Sequence, residues 1–238
     1  MRFWELDLIK GIAILLVIFF HFIFDLAFFA QVPIDLDSWI WWSIARVAAS
    51  TFIFTSGISL ALSFQKSLDT NSSFLPKLLM RSAKLLGIGA LISLATWLFV
   101  GEGTIIFGIL HFLAVASLIA YFFLNKPLLT FAVSGLLLLC TPWVQAHTVS
   151  FPYLVWLGLE PADFYSLDHF PLIPWFSIYL LGMLTASLAY PHAQRQFKLS
   201  HEPTSRTANA LSFLGQHTLL LYLAHQPILL ALLYPFMR

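Results

Sequence analysis

The sequence predicts an all-α integral membrane protein of about seven transmembrane helices, N-terminus cytoplasmic and C-terminus outside. Three observations carry this. The chain is 60% hydrophobic and 10% charged, against roughly 25% charged in an ordinary globular domain, and its mean hydropathy is +0.87. Its apolar residues fall into seven stretches, each near the ~20 residues a helix needs to cross a bilayer. Among the connections, Lys and Arg occur only in alternate ones, the pattern that keeps positive loops in the cytoplasm. No alternation of the kind a membrane β-barrel needs is present.

The first span, 7–29, is too long for a cleavable signal and carries His21 and Asp25, so it is expected to be retained. QVPIDLDS leads to the second, 39–64, which contains Arg46. QKSLDTNSSFLPK joins it to the third, 78–100, whose inner end bears Arg81 and Lys84. GEGT precedes the fourth, 105–124, with His111 in FGILHFLA. Only Asn125-Lys126-Pro127 separates this from the fifth, 128–145, which predicts a tight helical hairpin. The single cysteine, Cys140, excludes an intrachain disulfide and reads as a small core residue.

Residues 146–171 form an apolar, aromatic, proline-rich outside segment, expected to pack on the bundle or lie in the interface. The sixth and seventh spans follow at 172–190 and 209–236. With no repeat or soluble portion visible, residues 1–238 read as one transmembrane domain.

Arg2, Lys66, Lys77, Arg81, Lys84, Lys126, Arg195, Lys198 and Arg206 mark the cytoplasmic side. Asp35, Asp37, Glu102, Glu160, Asp163 and Asp168 lie in the uncharged-by-Lys/Arg outer connections, and Arg238 ends the chain outside. A formal net charge of +1 and the lack of a basic tail imply no nucleic-acid partner. The lipid bilayer is the partner the composition demands.

Asp7, Lys10, His21 and Asp25 share one face of the first span. At ~100° per residue they stay within a stripe about 60° wide. Charge inside a membrane is costly, which makes such a column a functional candidate. Depth follows from the ~1.5 Å rise per residue. His21, Asp25, Arg46, His111 and His225 fall in the outer half, and Asp168 and His169 at the outer mouth of the sixth span. Lys10, Arg81, Lys84, Gln216 and His217 fall near the inner face.

An imidazole with a carboxylate one turn away can be oriented and made more basic. That pairing suits a general base for a hydroxyl or amine. Lys10, about 16 Å away on the same face, suits the phosphate end of an elongated donor. Plainer readings stand beside these. Arg81 and Lys84 can snorkel to headgroups, Arg46 and Asp25 can pair two helices, and Tyr153, Trp156 and Trp175 can form an aromatic belt. The same groups would also serve a proton-coupled transporter, or brace a non-catalytic membrane partner. A short chain without inverted repeats speaks against a carrier. There is no GxSxG, P-loop, Rossmann or CxxC motif, and the histidines lack HExxH spacing, so no metal is expected.

K-GIAILLVIFF-H, from Lys10 to His21, resembles the Arg/Lys-x10-His motif of membrane acyltransferase-3 proteins. The fuller pattern resembles a related family, that of the heparan-alpha-glucosaminide N-acetyltransferase catalytic domain. It runs through LDLIKGIAILLVIFFHFIFDL, RVAASTFIFTSGISLALS, FGILHF, LDHFPLIPWFSIYLLGM and LSFLGQHTLLLYLAHQPI, nearly end to end. The resemblance implies a multi-pass enzyme of the plasma (bacterial inner) membrane. Such an enzyme moves an acyl group, usually acetyl, from cytoplasmic acetyl-CoA or another acyl-CoA to a glycan or other small acceptor on the far side. Carried over, His21 is the base or transient acyl carrier and Lys10 meets the donor, keeping the charge of the commoner arginine without its bidentate fork. Arg46, His111 and His225 match further polar positions.

On this reading His21, Asp25 and Arg46 are catalytic, with Asp25 orienting His21 and Arg46 steadying the oxyanion. Lys10, Arg81 and Lys84 hold the CoA phosphates, and His111, Asp168, His169 and His225 face the acceptor. A homo-oligomer is compatible with the sequence.

Overall fold

A computed structural model describes residues 3–199 and 205–236. Arg2, Arg238 and part of the sixth connection lie outside them. The described residues form eight α-helices: α1 Trp4–Phe28, α2 Trp39–Asp69, α3 Phe74–Phe99, α4 Ile109–Ala120, α5 Pro127–Ala146, α6 Leu172–Ala189, α7 Arg206–Gln216 and α8 Thr218–Leu233. Six are long and apolar enough to cross a membrane: α1, α2, α3, α5, α6, and α8 with its following turn. Ile109–Phe123 is a shorter apolar helix. The protein is therefore a multi-pass all-α membrane protein, with six long apolar helices and a shorter one among the described residues.

The expected single span over 209–236 is divided. Helical geometry breaks at His217 (φ −112°, ψ 20°). The imidazole Nδ1–H of His217 donates to the Phe213 carbonyl at 2.9 Å, and its ring lies 4.4 Å from the Phe213 ring. α7 opens with a capped start, Ser205 Oγ accepting from the Ala208 N–H at 3.2 Å. Apolar length alone cannot reveal such a break, because both flanking runs are apolar.

The chain divides into two compact units, 1–55 with 199–238 and 56–198, the boundary falling within α2. In the first, α1 is flanked by α7 and α8. Gly11 lies against the Leu211 carbonyl and Gly215 against that of Asp7. Rising numbers on α1 meet falling numbers on α7, so these helices are antiparallel, and the two glycines permit backbone-to-backbone approach. Leu221 and Tyr222 of α8 pack with Ile14 and Val17, while His225 meets His21. α8 thus climbs in the same sense as α1, the chain reversing at His217. Ala48 and Phe52 of α2 complete this core.

In the second unit α3 pairs with α4 and α5 with α6. The Tyr179 hydroxyl of α6 lies 3.0 Å from Ser117 Oγ of α4, and Ser134 Oγ of α5 donates to the Ser177 carbonyl at 3.1 Å. α4 can be short because most of it is buried by protein, and two loops fill the space before its start. In those loops the Leu167 N–H donates to the Gly103 carbonyl at 2.9 Å and the Phe170 N–H to the Phe107 carbonyl at 3.0 Å. Segment 146–171 is thereby tied to 100–108, giving its backbone groups partners where water is scarce.

Candidate functional site

The polar stripe of α1 is present. Asp7 and Asp25 are buried, and Lys10 and His21 are half-buried on the same face. Ile9, Ile12, Leu15, Phe19 and Phe22 are exposed, roughly 60–200° round the helix from Asp7. Burial thus follows the polar face and lipid is left the apolar one.

Within the stripe, His21 Nδ1–H donates to the Val17 carbonyl at 2.9 Å. This sets the tautomer and leaves Nε2 with its lone pair in the neutral ring. His225 of α8 is held the same way by its own helix, Nδ1–H donating to the Tyr222 carbonyl. The two imidazoles meet edge to face at 4.7 Å between centroids. Two bases, each fixed through its δ nitrogen, therefore stand together.

Asp25 does not orient His21 as the spacing suggested. Its Oδ1 accepts from Gln226 Nε2 at 2.7 Å. The reason is local: His21 finds a carbonyl one turn back on its own helix, and the buried carboxylate takes the amide donor that α8 offers. Asp25 Oδ2, His225 Nε2 and Gln226 Oε1 are buried without partners. All three accept hydrogen bonds, so the cluster is built to receive N–H or O–H donors. Sequence reasoning missed Gln226. Its signal was a polar residue inside an apolar run, directly after His225 in LYLAHQPILL.

Arg46 is exposed, its guanidinium 5.3 Å from the centroid of the Trp42 ring, a cation–π arrangement.

In the second unit, Asp168 Oδ2 accepts from the Ile109 N–H at 3.0 Å and so caps α4 from another loop. Gly108, the cap position, has no side chain of its own, and a Cβ there would collide with this carboxylate. Burial raises the Asp168 carboxyl to about 6, the Ile109 N–H pulling the other way. His111, two residues on, sits with its ring against Gly89 of α3 and 6.0 Å from Phe107. His169 pairs through Nε2 with Glu160 Oε1 at 2.9 Å, with Phe164 edge-on to its ring. Burial lowers the His169 pKa and Glu160 partly restores it. Arg81 and Lys84 are exposed on α3.

A pH prediction follows from Asp168. Its folded pKa lies above the ordinary value of 3.8, so its favourable contribution is complete below that value and is lost as pH rises toward about 6. Asp168→Asn keeps an acceptor for the Ile109 N–H and cannot ionise. Melting followed between pH 4 and 7 should show the variant gaining on the wild type as pH rises. Parallel curves would contradict the assignment.

A family model for heparan-alpha-glucosaminide N-acetyltransferase, catalytic, matches residues 2–227. The chain belongs to this family. No curated protein and no solved structure matches. The match takes in α1 from its first residue and ends within α8 just past Gln226. Membership in the heparan-alpha-glucosaminide N-acetyltransferase family makes the chain a member of a membrane acetyltransferase family, one that in general uses acetyl-CoA as donor. His21, Asp25, His225 and Gln226 in the first unit, and His111, Asp168 and His169 in the second, all fall inside the matched span.

Proposed function

We propose that this chain moves an acetyl group from cytoplasmic acetyl-CoA to a hydroxyl or amine of a sugar-like acceptor on the outer side of the plasma membrane. The observation that carries this reading is the His21–His225 pair, with its ε nitrogens left as bases beside the unpartnered oxygens Asp25 Oδ2 and Gln226 Oε1. Buried lone pairs of this kind suit a substrate that brings the proton.

His21 Nε2 takes the proton of the acceptor O–H or N–H as the oxygen or nitrogen attacks the thioester carbon. The tetrahedral intermediate collapses, the C–S bond breaks, and the CoA thiolate collects the proton from the imidazolium. Acetylated acceptor and CoA-SH balance the step. His225 and the free oxygens of Asp25 and Gln226 hold acceptor donors. Arg46 supplies positive charge to the oxyanion from an exposed position beside Trp42, where solvent makes it weaker than it would be in a dry site. Lys10 serves the CoA phosphates.

Purified protein incubated with acetyl-labelled acetyl-CoA and an extract of outer-surface glycans tests this. Label in a glycan is the expected result. Intact acetyl-CoA with no labelled product, alongside uptake of an unmodified solute by proteoliposomes, would replace the enzyme with a carrier.

A further inference from the structure

A small cleft of about 50 Å³ opens in the second unit at the end of α4 opposite Asp168. Gln65 of α2, Asn125 and Lys126 of the α4–α5 turn, Thr130 of α5 and Ser187 of α6 form its polar wall, and no acidic residue lines it. Asn125 takes a left-handed conformation (φ 58°), which lets three residues reverse the chain and brings Lys126 to the rim.

Hydrogen-bond accounting identifies what this wall can still bind. Gln65 Oε1 already accepts from the Ala193 N–H at 2.7 Å, which leaves the amide N–H groups of Gln65 to the cleft. Thr130 Oγ1 donates to the Lys126 carbonyl at 2.9 Å, and Ser187 Oγ to the Leu184 carbonyl at 2.7 Å. Both hydroxyls have thereby spent their protons and offer the cleft only lone pairs, whereas the Lys126 ammonium and the Gln65 amide remain as its donors. The two donors fit an anionic phosphate oxygen, and the hydroxyl oxygens fit a headgroup that also carries O–H groups.

The flanks decide which anion. Leu128 is 80% exposed and Phe122 68%, so hydrocarbon surface lies directly beside Lys126. This end of the unit also carries Lys66 and Arg195, and the positive-inside rule assigns it to the anionic cytoplasmic leaflet. A soluble phosphate has no use for apolar flanks. A phospholipid does, its chains lying along Phe122 and Leu128.

We propose that this cleft binds the headgroup phosphate of an acidic phospholipid, held by Lys126 and the Gln65 amide. The site is separate from the acetyl-transfer chemistry, and its test does not depend on that chemistry.

Native mass spectrometry of the purified protein exchanged into mixed phosphatidylglycerol and phosphatidylcholine bilayers reads the binding directly. Wild type should retain phosphatidylglycerol over phosphatidylcholine. Lys126→Gln should weaken retention about five- to tenfold, the effect of one cation near a membrane surface, while Lys126→Arg should keep it. Gln65→Leu removes the amide without touching the turn, and should weaken retention even if the Lys126 variants fold poorly. Equal retention of the two lipids, or undiminished phosphatidylglycerol in both Lys126→Gln and Gln65→Leu, would overturn the proposal. So would displacement of the lipid by inorganic phosphate or free CoA, which would make the cleft a site for soluble phosphate.

Discussion

Replacing His21 with asparagine is expected to lower acetyl transfer by about 10²–10⁴-fold, the usual contribution of a positioned general base. Asparagine is the informative choice. Its amide N–H can stand in for Nδ1–H against the Val17 carbonyl, the one hydrogen bond that holds the ring, while no nitrogen remains to take a proton. Helix packing, expression and melting should stay close to wild type, and acetyl-CoA binding should survive the loss of turnover. Gln226→Leu should behave differently, because it strips Asp25 of its amide donor and leaves a buried carboxylate uncovered. A folded His21→Asn protein with undiminished turnover would remove His21 from the chemistry.

Gly11→Val and Gly215→Val are expected to prevent the first unit from assembling. Even the first added carbon would overlap the Leu211 or the Asp7 carbonyl. Backbone cannot swing aside as a flexible side chain can, so the cost should exceed the ~1–3 kcal/mol of ordinary core overpacking. Gly87 in α3 and Gly135 in α5 provide the contrast, since a Cβ at either meets nothing within 4 Å. Alanine there should be neutral or stabilising by up to about 1 kcal/mol through helix propensity. Thermal unfolding in detergent compares the four directly. Valine at Gly11 melting with alanine at Gly87 would refute the antiparallel contact of α1 and α7.

How far the sequence could be read is clearest in α1. Asp7, Lys10, His21 and Asp25 announce a protected face because 3.6-residue periodicity is local, and the exposed Ile9, Leu15 and Phe19 opposite them follow from the same geometry. Partners were not legible. Asp25 and Gln226 are 201 positions apart, and nothing in either neighbourhood specifies the other. Asp168 stands likewise 59 positions from the Ile109 N–H it caps, although a bare glycine at the start of α4 is the local sign of a cap supplied from elsewhere. The reversal at His217 escaped notice for another reason: hydropathy registers length, whereas the change of direction rests on two glycine contacts between helices. The family pattern, by contrast, was visible from residue runs along nearly the whole chain, and the matched span of 2–227 agrees with it.

Sealed proteoliposomes of one orientation give the most direct test of transfer across the bilayer by the histidine cluster. Labelled acetyl-CoA is supplied only at the N-terminal face and glycan acceptor only at the opposite face. Labelled glycan should accumulate with wild type and not with His21→Asn. Label appearing only when both substrates share a face, or appearing equally with the asparagine variant, would contradict it.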